Sequence, residues 1–280
     1  KILGGLGNQM FQYAAAKALA NKNDTEVKVD ISAFTNYQLR SYDLDKLNVP
    51  LSVASPKEIE NLKATNSLQR IVQRIIPYSA RKFYKEPYFH HDKNFERLGK
   101  DVYVQGYFQS QKYFISSEDE IRKQFTLKAA VSKEIKEYGA ALQSHHSVAI
   151  HIRNGDYKSA EMLNVHGILP LSYYEQAIRF IRGKLPKAKF YVFSDDANVA
   201  QGNFLFNSFE IVSGNVSQNH FEDLFLMSSC RHNIIANSSF SWWAAWLNDN
   251  PDKVVIGPKK WFNHGPKDTQ DILPEGWIKL

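Results

Sequence analysis

The sequence predicts an α/β fold built as two halves, on three observations. The chain opens on a short apolar run, a glycine-rich turn and a run of helix formers, Lys1-Ile-Leu-Gly-Gly-Leu-Gly-Asn-Gln-Met-Phe-Gln-Tyr-Ala-Ala-Ala-Lys17. From residue 144 onward, compact apolar strands alternate with helical segments, which means a parallel sheet with helices on both faces. The length, 280 residues, suits one large domain or two of ordinary size. A seam near 140–146 divides the chain into 1–143 and 144–280. A ligand is expected in the crevice at the carboxyl ends of the strands.

In the opening unit, Ile2-Leu3 reads as a strand, Gly4, Gly5 and Gly7 as the turn, and Asn8 as the start of a helix carrying Met10, Phe11, Tyr13, Ala14, Ala15, Ala18 and Leu19. Glycine permits positive φ and the close approach of a ligand. The free N–H groups of the following helix favour an anion or a polar sugar group. A tight βα turn with no ligand is the plain alternative. The spacing is neither G-x-G-x-x-G nor G-x-x-x-x-G-K-[ST], so neither the dinucleotide nor the P-loop mechanism transfers.

Residues 26–31 alternate polar and apolar and read as a strand; 32–54 read as irregular. Ser55, Pro56 and Glu58 form a helix start, with Ser55 as N-cap and Glu58 closing a capping box. Between 67 and 87 a basic run, Arg70, Arg74, Arg81, Lys82 and Lys85, accompanies Leu68, Ile71, Val72, Ile75 and Ile76 at helical spacing. This is either an ordinary helix with a solvated basic face or a surface that meets anionic lipid or glycan. Residues 101–108 read as a strand, 109–114 as a helix start, and 117–126 and 131–143 as helices. Beyond the seam the alternating segments are 147–153, 172–185, 189–194, 196–204, 209–212, 220–230, 233–236, 239–247 and 253–256.

Composition narrows the function classes. Apolar residues at 43% and charged residues at 23% are ordinary for a globular protein. Aromatics at 13% are abundant, and such rings pack cores or stack on bases and sugar faces. The net charge of +6 suits an anionic ligand or a loose contact with a membrane surface. It is too diffuse to argue for nucleic acid. The one cysteine, Cys230, excludes an internal disulfide and a Cys-based zinc site and reads as a small buried apolar residue. No window reaches the roughly 20 apolar residues of a membrane span. No signal peptide is visible, and the chain starts almost inside its first strand, as if a few native residues preceded Lys1.

Four groups in the second half carry chemistry. The strand 147–153 places His151 and Arg153 two apart, on one face, and runs into Asn154-Gly155-Asp156-Tyr157. Arg153 can fork a phosphate, or can form a structural ion pair with Asp156. Tyr191-Val-Phe-Ser-Asp195-Asp196 ends a second strand in two carboxylates. These either hold a metal or cap the following helix, and capping is preferred. Glu222 and Asp223 open a helix, where acids suit the macrodipole. Asp223 is also placed to accept the paired N1–H and N2–H donors of a guanine. Asn237-Ser-Ser-Phe240 opens the helix that carries Trp242, Trp243 and Trp246, so hydroxyls and free N–H groups again make an anion site. The tryptophans read as core. Together these groups describe a nucleoside diphosphate site able to work without a metal.

Five blocks carry a family resemblance: Gly4–Ala14, Gly106–Phe114, His151–Tyr157, Phe193–Asp196 and Asn237–Trp246. In this order they resemble the signatures of bacterial α-1,2-fucosyltransferases, glycosyltransferase family 11. The resemblance implies a GT-B-like fold of two Rossmann-like halves facing across a cleft, with 1–143 on the acceptor side and 144–280 binding GDP-fucose. It implies inverting transfer of L-fucose from GDP-β-L-fucose to the 2-hydroxyl of a terminal galactose, with no cofactor and no required divalent metal. It further implies Arg153 on the β-phosphate, Ser239 and Phe240 on the phosphates, and His151 near phosphate or ribose. Asp195, Asn237 and Ser238 complete the donor set, and Asp223 meets the guanine. Asn8 would face the reacting centre, and Asp156 is the candidate base. Related enzymes often carry a second arginine after the first; here that position is Asn154. The partners implied are a nucleotide-sugar donor and a glycan acceptor, no nucleic acid, in a cytoplasmic bacterial protein with a peripheral contact at the inner membrane face. Other readings are a transferase making a different fucosyl linkage, a non-catalytic glycan-binding protein without GDP affinity, and a magnesium-dependent phosphatase using Asp195-Asp196.

Overall fold

Gly4 sets the first turn. Its φ is +80°, and a Cβ there would lie 2.8 Å from Asn8 Nδ2, so glycine alone fits. Gly5 caps helix α1, Leu6–Lys22, which begins two residues ahead of Asn8. The computed structural model describes residues 1–35, 40–63, 71–72, 75–153, 164–165, 167–196 and 209–280. Two compact units make up the chain, Lys1–Lys128 with Asp268–Pro274, and Ala129–Lys267 with Glu275–Leu280.

In the first unit α1 is buried on nearly every side, with Met10, Phe11, Tyr13, Ala14 and Ala15 at 1% exposure or less. Two buried glutamines tie it to its surroundings through their hydrogen bonds. Gln9 Nε2 donates to the carbonyls of Gly4 and Ser41, while its Oε1 accepts from Asp43 and Leu44 N–H. Gln12 Oε1 accepts from Leu3 N–H. The strands are short and pair in parallel: β1, Lys28–Val29, with β2, Ser52–Val53, and β3, Phe83–Lys85, with β4, Tyr103–Gln105. Ile2 makes a single bond to the Asp30 carbonyl, and the Lys1 amino group one to Val104, instead of a ladder. The expected strand at 101–108 is cut to three residues because Asp101 and Phe108 take positive φ, 52° and 51°, and break the extended backbone. Helix α2, Pro56–Leu62, has the capping box expected at Ser55 and Glu58, and α3 spans Glu118–Gln124. Of the basic run, 64–70 and 73–74 lie outside the described residues. Ile71, Val72 and Ile75 are exposed, so helical spacing there does not mark a buried face.

Glu86, just after β3, accepts the N–H of Tyr107 at 2.7 Å and of Phe108 at 3.1 Å. Burial pushes its pKa up to about 7 against those bonds, and Asp268 adds to the rise. Between the ordinary 4.5 and 7 the folded chain keeps a proton that the unfolded chain releases. Stability therefore falls as pH rises through that window. Thermal unfolding of Glu86→Gln is expected to show a flatter pH dependence from 5 to 7 than the parent chain; parallel curves would remove Glu86 as the source.

The second unit is a six-stranded parallel sheet: β5, Ser147–Ile152; β6, Lys189–Ser194; β7, Glu210–Ile211; β8, His232–Ile234; β9, Val255–Gly257; and β10, Ile278–Lys279. The spatial order is β7-β6-β5-β8-β9-β10. Counted from β5 this is 3-2-1-4-5-6, the doubly wound order, whose direction reverses between β5 and β8. Val148, Ile150, Ile152, Phe190, Val192, Ile234 and Ile256 share one face with Tyr173, Ala177, Ile178 and Ile181 of helix α5, Leu171–Lys184. The opposite face carries α4, Lys133–Gln143, whose Tyr138 ring meets Tyr191, and α6, His220–Ser229, whose Met227 carbonyl accepts from Asn233. Helix α7, Ser239–Leu247, packs on α6 and has the expected bounds. Lys253 Nζ closes its last turn on the carbonyls of Ala245, Trp246 and Asn248. The described part of the expected helix 196–204 ends at Asp196.

The units divide after Lys128, ahead of the expected seam at 143/144. The reason is packing: α4 lies on α6, and a Cβ at Gly139 would come within 2.9 Å of the Phe225 ring. Helical periodicity shows that α4 has an apolar face but not which sheet it covers.

Candidate functional site

Doubly wound sheets take ligands at the carboxyl edge where the strand order reverses; here that point lies between β5 and β8, and the polar groups of the second unit collect there. Val148, Ala149 and Ile150 of β5 pair with His232, Asn233 and Ile234 of β8. Two tyrosines of α5 bond the strand ends there: Tyr174 donates to the His151 carbonyl at 3.1 Å and Tyr173 to the Ile235 carbonyl at 2.7 Å.

His151 is 6% exposed and lies on the α6–α7 face of the sheet. Burial pushes its pKa well down, Asp195 pulls it up and Arg153 presses it down again, so the ring is neutral near pH 7. Its Nδ1 has no hydrogen-bond partner among the described residues. A buried ring nitrogen without a partner costs about 1–3 kcal/mol, a cost that a bound polar ligand would remove. The His151 ring lies 5.9 Å from Phe240, which lies 6.4 Å from His220. This cluster joins the end of β5 to the first turns of α6 and α7. Arg153 follows β5 directly and is half-buried.

At the start of α7, Ser238 is the N-cap, and its hydroxyl accepts from Phe240 N–H at 3.3 Å. Ser239 and Phe240 are half-buried. Asn237 Nδ2 is bound to the carbonyls of Trp261 and Gly167 at 3.2 and 3.4 Å, which fixes the turn ahead of the helix. The start of α6 carries Asp223. Its carboxylate accepts from the Ser213 hydroxyl at 2.9 Å and from the Ser217 hydroxyl. Burial raises its pKa against those two bonds. Ser213 also accepts from Ser194 N–H, coupling Asp223 to the end of β6. Asp195 is exposed beside that end, and the Ser194 hydroxyl bonds both the N–H and the carbonyl of Asp196. Asp195-Asp196 belong to no group of three or more potential metal ligands among the described residues.

His151, Arg153, Asp195, Asp223, Asn237, Ser238, Ser239 and Phe240 thus fall along one sheet edge. Asn154 and Asp156 lie outside the described residues. Asn8 is in the first unit, where its Oδ1 accepts from Gln109 Nε2 at 2.6 Å. Sequence reasoning passed over Ser213, Ser217, Tyr173, Tyr174 and Gln109. Only Gln109 had a signal, its place in the block 106–114.

The profile of Glycosyl transferase family 11 matches residues 1–280. The chain is 32% identical to an alpha-1,2-colitosyltransferase of Escherichia coli, over 100% of this chain and 97% of the relative. It is 27% identical to galactoside 2-alpha-L-fucosyltransferase SEC1 of Bos taurus, over 87% of this chain and 62% of that protein. Among solved structures, a mutant of Arabidopsis thaliana FUT1 in complex with GDP aligns with a TM-score of 0.52 at 11% identity, over 99% of this chain and 74% of that one. That likeness concerns the fold, which is α/β and GT-B-like.

Proposed function

The chain belongs to glycosyltransferase family 11, and from that premise we propose that it is an inverting α-1,2-fucosyltransferase moving L-fucose from GDP-β-L-fucose to the 2-hydroxyl of a terminal galactose. The observation that carries this reading is the edge between β5 and β8. There a neutral His151 with an unsatisfied Nδ1, Arg153 and the first turn of α7 converge.

As GDP leaves the anomeric carbon, the sugar becomes oxocarbenium-like and negative charge grows on the β-phosphate. Arg153 meets that charge with its fork of donors. The Ser239 hydroxyl and the N-terminal N–H groups of α7, including Phe240, add fixed dipoles. His151 donates from a neutral ring, and Asp195 and Asn237 keep the strand ends in place around it. Asp223 accepts guanine N1–H and N2–H in exchange for part of its serine contacts, and Asn8 positions the acceptor. This set does its work without a divalent metal.

The first test is GDP release from GDP-fucose with lactose, with and without EDTA, the product linkage being read by NMR. A chelator-resistant 2-O-fucosyl product is expected. Loss of activity with EDTA would return Asp195-Asp196 to the role of metal ligands, and absence of GDP affinity would overturn the reading. The identity to the E. coli colitosyltransferase favours a second reading, with the same linkage and a colitosyl donor. Parallel assays with both donors decide between them. A site that hydrogen-bonds a sugar hydroxyl rejects the deoxy analogue by about 10⁴-fold or more.

A further inference from the structure

The first unit carries an apolar ridge on its surface. Ile71, Val72 and Ile75 are helical, and the Ile76 N–H closes a turn on the Val72 carbonyl at 3.2 Å. At 3.6 residues per turn the three side chains fall within an arc of about 100°. A helix ordinarily turns such an arc toward a core. Here Ile71 and Val72 are each 52% exposed and Ile75 is 78% exposed. Cations border the ridge. Arg81 Nε donates to the Ile76 carbonyl at 3.3 Å, and its guanidinium lies 3.6 Å over the Tyr78 ring, which ties the basic stretch to the end of the helix. Lys82 follows directly and is exposed, as is Lys85 at the end of β3. Along the sequence, 61–85 holds Lys63, Arg70, Arg74, Arg81, Lys82 and Lys85 and no acidic residue. We propose that this ridge is a docking surface for an anionic lipid bilayer: Ile71, Val72 and Ile75 enter the boundary between headgroups and acyl chains, and Arg81, Lys82 and Lys85 meet the lipid phosphates.

The chemistry of the two parts selects this occupant. Branched aliphatic side chains gain by leaving water, but the ridge itself offers no ring, so neither a sugar face nor a nucleobase finds a platform to stack on. A second copy of this chain, paired isologously, would bring the same cations to the contact, and like charges across an interface repel. An anionic bilayer surface suits both parts at once. It buries the apolar side chains at the headgroup boundary, and it attracts each nearby Lys or Arg through its negative surface potential. Lys82 lies 3.9 Å from Asp101 with both side chains largely exposed, and an exposed pair of that kind holds a cation only weakly.

No helix among the described residues is long and apolar enough to cross a membrane, so the contact lies in the plane of the interface. The ridge and the cations after it belong to the first unit alone. The surface therefore stands or falls independently of the donor edge of the second unit and of the transferase reading.

The test is sedimentation of the full chain with vesicles of phosphatidylcholine alone and of phosphatidylcholine mixed with phosphatidylglycerol, at low and at physiological salt. The variants are Ile71→Ser/Ile75→Ser, Lys82→Gln/Lys85→Gln and, as an apolar control elsewhere on the unit, Ile115→Ser, with circular dichroism as a check of folding. The parent is expected to bind the mixed vesicles and to leave phosphatidylcholine in solution. Ile71→Ser/Ile75→Ser should lower the partition about tenfold or more, and so should Lys82→Gln/Lys85→Gln, while Ile115→Ser matches the parent. Added salt should weaken binding without abolishing it, because the apolar contact is not screened. A parent that ignores the mixed vesicles would overturn the proposal. So would binding that Ile71→Ser/Ile75→Ser keeps in full, which would reduce the contact to diffuse charge. Retention of a duplex oligonucleotide in place of the vesicles, lost in the lysine variant, would overturn it in favour of a nucleic-acid surface.

Discussion

Arg153→Ala is expected to lower kcat for transfer by roughly two to three orders of magnitude, the usual effect of removing a preorganised donor from a developing charge. Arg153 sits one residue past β5, at the reversal of the doubly wound sheet. Its neighbours there, His151 and the first turn of α7, supply dipoles but no second full positive charge, because burial keeps His151 neutral. The residue after Arg153 is Asn154, which brings no charge. Among the described residues the proposed phosphate site thus has one guanidinium on which leaving-group stabilisation would fall. Arg153→Lys keeps the charge and loses the fork, so it should recover only part of the rate. GDP binding should weaken less than turnover, since the β-phosphate gains charge only as the sugar departs. The measurement is kcat and the GDP dissociation constant for both variants. Near-native turnover in Arg153→Ala would falsify the phosphate assignment.

The second unit was largely legible in the sequence because its central strands β5 and β6 are buried on both faces and announce themselves as nearly continuous apolar runs. The expected 189–194 and 239–247 match β6 and α7. Helix α7 was marked at its start by Asn237-Ser238, whose side chains bond the turn and the first N–H groups. Strand β7 is only two residues long, inside the expected 209–212, and the loop behind it has no pattern. That is why Ser213 and Ser217, the partners of Asp223, could not be read in advance. The tyrosines of α5 look like any amphipathic helix, and a hydroxyl that donates to a strand-end carbonyl leaves no mark on periodicity. The first unit was harder still. Its strands are two or three residues long, and positive-φ residues interrupt the apolar runs. Its polar side chains are joined across long stretches of chain, such as His90 to Asp268 and Asn8 to Gln109.

Trp243→Ala is expected to cost about 3–5 kcal/mol of stability, the range for truncating a buried large aromatic. The side chain is 0% exposed. It stands edge-on to Trp242 at 5.0 Å and to Trp246 at 5.2 Å, and Trp242 in turn lies 5.4 Å from Trp277. Three large rings cannot move together to fill the space, because α7 is held at both ends. Ser238 caps its start and Lys253 binds its last carbonyls. The cavity therefore persists, with a fall in melting temperature of roughly 10 °C. The same helix presents Ser239 and Phe240 at its first turn, so a small tilt moves the proposed phosphate donors. A displacement of about 1 Å in a catalytic group can cost about a hundredfold in rate, and turnover should drop even where the variant is folded. Trp243→Phe keeps a ring and should restore most of the stability and part of the rate. Thermal unfolding and kcat on both variants, with refolded fractions checked by near-UV circular dichroism, decide the matter. A melting temperature for Trp243→Ala within a few degrees of the parent would mean that the tryptophan cluster does not anchor the helix.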